Sequence, residues 1–132
     1  MTMINRGPDP AGLPPKEFVT FLTGLTVSSL GAAIKFSGNY NTATGVTVVK
    51  ATNGAQVGGR LEVVESDGYC GISLAGSQIQ EYDFVAGATP TVNEGIQGGT
   101  VDGKVKGVTC ANGGRGVVVS LDESNHKVLV LF

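Results

Sequence analysis

The side chains most able to do chemistry are one histidine and two cysteines. His126 ends the polar stretch Asp122-Glu123-Ser124-Asn125-His126, and Cys70 and Cys110 are distant from it in the chain. Together they could offer three ligands to a metal, or a cysteine–histidine pair for nucleophilic catalysis. However, the sequence contains no C-x2-C pair, and Cys70 lies in the apolar stretch Tyr69-Cys70-Gly71-Ile72, which is typical of a buried, unreactive thiol. We therefore predict neither a metal site nor a catalytic residue here.

Acidic side chains occur in close pairs, which are Glu62 with Glu65, Glu81 with Asp83, and Asp122 with Glu123. Glycoside hydrolysis needs two carboxyl groups that face each other across a cleft. Glu81 and Asp83 are two residues apart in an apparent strand and therefore share one face of it. Acidic groups on an exposed strand face normally maintain solubility and protect a sheet edge. The pairs therefore predict no enzymatic activity.

Two glycine-rich stretches resemble nucleotide-binding motifs in part. Gly98-Gly99-Thr100-Val101-Asp102-Gly103-Lys104-Val105 has the spacing G-x4-G-K, but valine stands where a P-loop needs the serine or threonine that binds Mg²⁺. Gly113-Gly114-Arg115-Gly116 lacks the third glycine of the dinucleotide fingerprint and precedes an apparent strand instead of a helix. Both stretches are typical of turns and loops, so no cofactor is predicted.

The composition restricts the partners that the chain can bind. Of 132 residues, 41% are hydrophobic and 15% are charged, which is too apolar for a disordered chain. The nine basic residues are scattered and the formal net charge is −2, so no nucleic-acid footprint is present. The sequence has no apolar run of about 18 residues, and its first residues lack the apolar core of a signal peptide. We predict a protein that binds neither nucleic acid nor membranes and, with two cysteines, occupies a reducing compartment.

The elements that carry these residues have the pattern of β-strands. Apolar and polar residues alternate, as in Leu61-Glu62-Val63, and the runs are rich in valine and threonine. The candidate strands are residues 18–27, 32–36, 46–50, 60–65, 70–74, 79–85, 100–108, 115–121 and 127–132. Between several of them stand the turn pairs Asn53-Gly54, Asp67-Gly68, Asp102-Gly103 and Asn112-Gly113. We predict an all-β domain over residues 18–132, a small β-sandwich or barrel, with a C-terminal hairpin over residues 115–132.

Residues 1–17 differ from this domain in composition. Four of the five prolines lie within them: Pro8, Pro10, Pro14 and Pro15. Because proline fixes φ and lacks an N–H group, this stretch is predicted to be an extended, Pro-rich N-terminal arm. It could be a passive tail, or it could become ordered on a neighbouring subunit. In the second case Ile4, Arg6 and Leu13 would provide the contacts.

Five segments, residues 31–38, 67–74, 84–88, 116–121 and 127–132, together resemble the small cement or decoration proteins of tailed-bacteriophage capsids. In that group, a β domain rich in Gly, Ala, Val and Thr follows a short N-terminal arm. The resemblance implies a non-enzymatic virion protein that binds the major capsid protein and stabilises the assembled shell by bridging adjacent subunits. It also implies a homotrimer, with a dimer as the alternative, on the outer capsid surface after synthesis in the host cytoplasm.

On this interpretation Ile4, Arg6 and Leu13 are the predicted capsid contacts. The terminal strand, through Val128, Val130 and Phe132, is the predicted oligomer interface, although core packing would explain Val128 and Val130 equally well. Apolar strands near the termini could also pair with the sheet edge of a neighbour. Two other functions remain open at this stage, a tail or fibre component of the virion and a carbohydrate-binding β-sandwich module.

Overall fold

The computed structural model describes residues 18–43, 45–76 and 78–132, which contain ten β-strands and two single-turn 3-10 helices (Val27–Ser29 and Cys110–Asn112). The strands are β1 (Val19–Thr23), β2 (Ala33–Asn41), β3 (Gly45–Lys50), β4 (Gly59–Val64), β5 (Tyr69–Leu74), β6 (Ile79–Asp83), β7 (Gly95–Gly98), β8 (Val105–Val108), β9 (Val117–Asp122) and β10 (Lys127–Leu131). The prediction of an all-β chain is confirmed. The predicted arm, residues 1–17, lies outside the described residues.

Strands β1 to β5 form a closed barrel in the order β1-β3-β2-β4-β5. β1 closes it by pairing in parallel with β3 and antiparallel with β5. The turn between β4 and β5 contains Asp67-Gly68, where Gly68 has a φ of +90° that glycine adopts readily. The interior is filled by Ile34, Val48, Leu61, Cys70 and Ile72.

A three-stranded antiparallel sheet in the order β6-β10-β9 and a two-stranded ribbon of β7 and β8 complete the fold. The predicted C-terminal hairpin is present as β9 and β10. A second core lies between these elements and residues Ala33, Ala51 and Val57, which lie on or next to barrel strands. Its other members are Tyr82, Phe84, Ile96, Val105, Val118, Val128 and Val130.

Strand β7 was not predicted because only one residue of its sequence Gly-Ile-Gln-Gly, Ile96, is a usual strand former. Its glycines allow other segments to approach closely. A Cβ atom on Gly95 would lie 2.5 Å from the carbonyl carbon of Gly114, and one on Gly98 would overlap the carbonyl oxygen of Thr52. The strand predicted at residues 100–108 is shorter in the structure and begins at Val105, because the turn at Gly103 (φ +84°) occupies its first half.

A buried polar cluster joins the three-stranded sheet to the barrel. Gln80 is fully buried, and the two hydrogens of its Nε2 are shared among three acceptors: the carbonyl oxygens of Ser73 and Leu74, both at 2.8 Å, and Ser73 Oγ at 2.9 Å. The Tyr82 hydroxyl donates to Gln80 Oε1, and burial raises the pKa of this hydroxyl well above its usual range. Each polar group that the sheet buries here therefore has a partner.

Two arginines strengthen the same junction. Arg60 Nε donates a hydrogen bond of 2.7 Å to the carbonyl oxygen of Glu81, so that Arg60 is bound to the backbone of β6. The guanidinium of Arg115 donates to the carbonyl oxygens of Val57 and Ala75, both at 2.8 Å. Because charged donors form the stronger hydrogen bonds, these contacts fix the position of the sheet relative to the barrel.

Candidate functional site

The outward surface of the β6-β10-β9 sheet, here called the docking face, is the candidate functional site. Side chains alternate along β10, so that Val128 and Val130 point into the core while Lys127, Leu129 and Leu131 point outward. The same alternation turns the odd-numbered residues of β6 outward. On β9 the outward residues shift phase at a bulge opposite the Leu129–Val130 step.

One end of the docking face is an apolar row across all three strands. Leu131 of β10 lies opposite Ile79 of β6 and Val117 of β9. The exposed fractions are 44% for Leu131 and 42% for Val117, and Ile79 is half-buried. These three neighbouring apolar side chains remain in contact with solvent. Their burial against another protein would therefore contribute favourable free energy to binding.

The other end of the docking face is charged. Lys127 lies opposite Asp83 and Asp122, and its Nζ is 2.7 Å from Asp83 Oδ1 and 3.9 Å from Glu81 Oε1. The hydrogen bond that Lys127 donates to the Asp83 carboxylate is the main reason why the pKa of Lys127 is raised. The charged end therefore carries more negative than positive groups and suits a partner with basic side chains.

A shallow depression of about 130 Å³ lies on this charged end, lined by Glu81, Ser120, Asp122, Lys127 and Leu129 among others. Pockets that enclose small-molecule ligands usually measure about 300–1,000 Å³. The depression is therefore suited to receive a side chain of another protein, and the docking face as a whole is closer to a contact surface than to a ligand pocket.

The loop between β9 and β10 is ordered by Asp122. Its carboxylate accepts hydrogen bonds from Ser124 Oγ at 2.9 Å and Asn125 Nδ2 at 2.8 Å, and these bonds lower its pKa. His126 has a φ of +53°, and its ring packs edge-on against Phe84 with the centroids 5.3 Å apart. The ring contact and the left-handed backbone give His126 a structural role at the start of the hairpin.

The structure corrects the residues that were predicted to form an oligomer interface on the terminal strand. Val128 and Val130 have almost no exposed surface, so their side chains fill the core and cannot face another subunit. Phe132 is half-buried, with its ring edge-on to Tyr82 and the Arg115 guanidinium 5.7 Å from its centroid. The predicted interface contacts through Val128 and Val130 are therefore wrong, and the oligomeric state itself stays a prediction. The predicted capsid contacts Ile4, Arg6 and Leu13 lie outside the described residues.

The prediction that the terminal strand could pair with the sheet edge of a neighbouring protein is wrong for β10. β10 lies between β6 and β9 and is paired on both sides, so it has no free edge. The outer edge of β9 is partly occupied, because the Val118 N–H donates to Glu94 O at 2.7 Å and the Val118 carbonyl accepts from Asn93 N–H at 2.9 Å. The bulge in β9 protects that edge further. Side chains of the docking face, not backbone hydrogen bonds of β10, are therefore available for contact.

The two cysteines differ in their exposure to solvent. Cys70 is a free thiol inside the barrel, where burial raises its pKa, and Cys110 is a free thiol on the surface. Within the part of the chain that the structure describes, no group of three or more His, Cys, Asp or Glu residues could hold a metal ion. In that same part, no helix is long and apolar enough to cross a membrane.

Leu131, Leu129, Val117 and Ile79 were missed as candidate contacts in the sequence. The four residues of β10 that follow Lys127 are all apolar. The pattern of apolar residues alone therefore does not show whether the valines or the leucines face solvent. The available signal was Lys127 itself. Because a lysine is almost always exposed, residues 129 and 131, which share its face, should also have been assigned to the surface.

Comparison of the chain with protein-family models, with curated proteins and with solved structures found no match.

Proposed function

We propose that this chain is a virion structural protein that decorates an assembled bacteriophage capsid and stabilises it by bridging neighbouring major capsid subunits. The observation that carries the proposal is the docking face, with its exposed row of Ile79, Leu131 and Val117 beside a charged end. The resemblance to capsid decoration proteins supplies the partner. The proposal assigns the chain to the outer surface of the virion, after synthesis in the host cytoplasm, and assigns it no catalytic step.

The mechanism is burial of the docking face against the shell. Apolar surface contributes about 25 cal/mol per Å² when it leaves water, so completing the burial of Leu131 or Val117 contributes about 1 kcal/mol each. Such a row alone is smaller than the roughly 800 Å² per partner of a standard stable interface. Further contact by the predicted arm, through Ile4, Arg6 and Leu13, and association of the protein as a trimer or a dimer would supply the remainder. Many copies on one shell would then together hold its subunits against internal pressure.

The charged end gives the contact its specificity. Lys127 pairs closely with Asp83, at 2.7 Å, and only loosely with Glu81, at 3.9 Å, while Glu81 and the exposed Asp122 border the depression. A basic side chain of a capsid subunit would fit between them, while an acidic one would be repelled. The proposal therefore includes weaker binding as salt concentration rises.

Co-sedimentation with expanded capsid shells of the phage that encodes the chain tests the proposal. Leu131→Asp places a charge in the apolar row and should weaken binding at least about tenfold, since it costs more than 1.4 kcal/mol at the interface. Val63→Asp is the matched control, because Val63 is a strand valine of similar exposure, 39%, on β4 of the barrel, where it is paired with Gly71 of β5. Equal binding by Leu131→Asp and the unmodified chain would exclude the docking face, and a lack of binding by the unmodified chain would exclude the function.

A further inference from the structure

A second depression lies outside the docking face, between the barrel and the turn that joins β7 to β8. Its volume is about 120 Å³, and its polar and charged lining residues are Ser28, Ser29, Lys50, Asp83, Asp102 and Lys104. The Lys127–Asp83 ion pair connects this second depression to the one on the docking face, because Lys127 lines the first and Asp83 lines the second.

The wall of the second depression at Gly103 is fixed in position. The Gly103 N–H donates to the carbonyl oxygen of Ala51 at 2.9 Å, and its own carbonyl accepts from the Ala33 N–H at 2.8 Å. The side chain of Lys50 lies along this glycine, with Cδ 3.3 Å from the position that a Cβ would occupy. The turn is therefore held against the barrel, and Lys104, which follows Gly103, projects from a firm base.

Positive charge exceeds negative charge in the second depression. Lys50 is half-buried and Lys104 is exposed, and neither has an ion pair with a carboxylate of the described residues. The Asp83 carboxylate is already paired with Lys127 at 2.7 Å, so only Asp102 opposes the two lysines. The charge balance therefore favours a negatively charged ligand group.

Ser29 adds a hydrogen-bond donor to the second depression. The residue is only 8% exposed, and its hydroxyl has no hydrogen-bond partner in the part of the chain that the structure describes. In that part no fully enclosed polar side-chain atom lacks a partner, so this hydroxyl is open to the depression that Ser29 lines. A carboxylate has two acceptor oxygens and can therefore take the hydroxyl hydrogen bond and the ammonium charge together.

We propose that the second depression binds a carboxylate side chain of the protein that the docking face contacts. The two depressions would then receive one acidic and one basic side chain of the partner, on the two sides of the Lys127–Asp83 ion pair. A partner with these two charges exchanged would be repelled at both places, which makes the contact selective. The identity of the partner rests on the proposed function, whereas the carboxylate site itself does not.

Titration of the ¹⁵N-labelled chain with sodium acetate tests the site without any shell present. Sodium chloride at the same ionic strength is the reference, because it screens charges to the same extent. We expect saturable shifts of the amide signals of Ser29, Gly103 and Lys104 in acetate but not in chloride. Equal responses to the two salts would overturn the inference, whatever the capsid experiments show.

Two pairs of matched variants assign acetate binding to the second depression. Lys104→Gln should weaken it about two- to fivefold, the range for one exposed ion pair. Lys106→Gln removes the same charge outside the depression, at a lysine that donates to Asn53, and should have no such effect. Asp102→Asn should strengthen binding, and Asp67→Asn, the same change in the other Asp-Gly turn, should not. Unchanged binding in Lys104→Gln, or weaker binding in Asp102→Asn, would contradict the assignment.

Binding to capsid shells separates this inference from the proposed function. Where the unmodified chain binds shells, Lys104→Gln should weaken that binding and Asp102→Asn should strengthen it. Equal binding by the three chains would overturn the role of the second depression in docking. A chain that binds acetate at this site but binds no shell would exclude the proposed function and leave the carboxylate site in place.

Discussion

Gln80 is the buried polar side chain that couples the two parts of the fold. Its Nε2 hydrogens are shared among two carbonyl oxygens and a hydroxyl of β5, and its Oε1 accepts a hydrogen bond from the Tyr82 hydroxyl. A buried polar group that loses its partner costs about 1–3 kcal/mol, so removal of this amide affects several groups at once.

Gln80→Leu is therefore expected to lower the free energy of unfolding by about 3 kcal/mol, as measured by urea denaturation. The control is Gln97→Leu, because Gln97 is partly exposed and makes one hydrogen bond of 3.2 Å to Gly113. That variant should change stability by no more than about 0.5 kcal/mol. Similar small effects from both substitutions would show that the junction does not depend on Gln80.

Asp122 gives a prediction about pH. Its pKa is lowered first by Asn125 Nδ2 and then by Ser124 Oγ, so the folded chain favours the ionised form. This contribution to stability is present above the pKa of Asp122 in the unfolded chain and is lost as pH falls through the lower pKa of the folded chain.

In an NMR titration, Asn125→Ala should raise the pKa of Asp122 towards its ordinary value, because the largest cause of the shift is removed. Asn53→Ala removes an exposed asparagine from a different turn and should leave the Asp122 titration unchanged. An unchanged midpoint in Asn125→Ala would show that the side-chain amide does not control this carboxylate.

At the scale of elements, the ribbon of β7 and β8 depends on close backbone packing. A Cβ on Gly107 would lie 2.6 Å from Pro90 Cα and 3.0 Å from the carbonyl oxygen of Thr89, and neither backbone atom can move away as a flexible side chain could. This segment is accordingly the part of the fold that tolerates an added methyl group least.

Gly107→Ala is expected to reduce the free energy of unfolding by about 2 kcal/mol or more. Gly24→Ala is the comparison, since nothing lies within 4 Å of its Cβ position and its φ is not left-handed. It should be neutral or stabilise the chain by up to about 1 kcal/mol, because alanine restricts the unfolded state. Thermal denaturation of both variants checks the contrast, and equal melting temperatures would contradict it.

The sequence predicted those elements whose signals are local. The hairpin of β9 and β10 was predicted because the polar residues 122–126 separate two alternating apolar runs, and the turn at Gly68 followed from Asp67-Gly68. The parallel pairing of β1 with β3 could not be predicted, since it joins strands that are distant in sequence and depends on closure of the barrel. β7 could not be predicted because its glycines are required by close tertiary contacts with Gly114 and Thr52, which the local sequence does not show.

The sequence did not show which side chains of the terminal strand reach the surface. Val128 and Val130, predicted to face another subunit, point inward, whereas Leu129 and Leu131 point outward. Because side chains alternate with a period of two, an error of one residue exchanges the core face for the surface face. The structure was needed to fix that phase.

Over the part of the molecule that the structure describes, the docking face lies on the three-stranded sheet and remains open to solvent. The buried cluster at Gln80 and the two arginines hold this sheet to the barrel, so the docking face has a firm support. This arrangement suits a protein that acts by covering another protein.

Cryo-electron microscopy of capsid shells with and without the protein tests this central claim most directly. We predict added density on the outer surface, positioned between neighbouring capsid subunits and with the β6-β10-β9 face against the shell. Leu131→Asp should remove that density, and Val63→Asp, on the barrel, should leave it in place. Shells saturated with the unmodified chain that show no added density, or density that touches the shell only through other surfaces, would contradict the account.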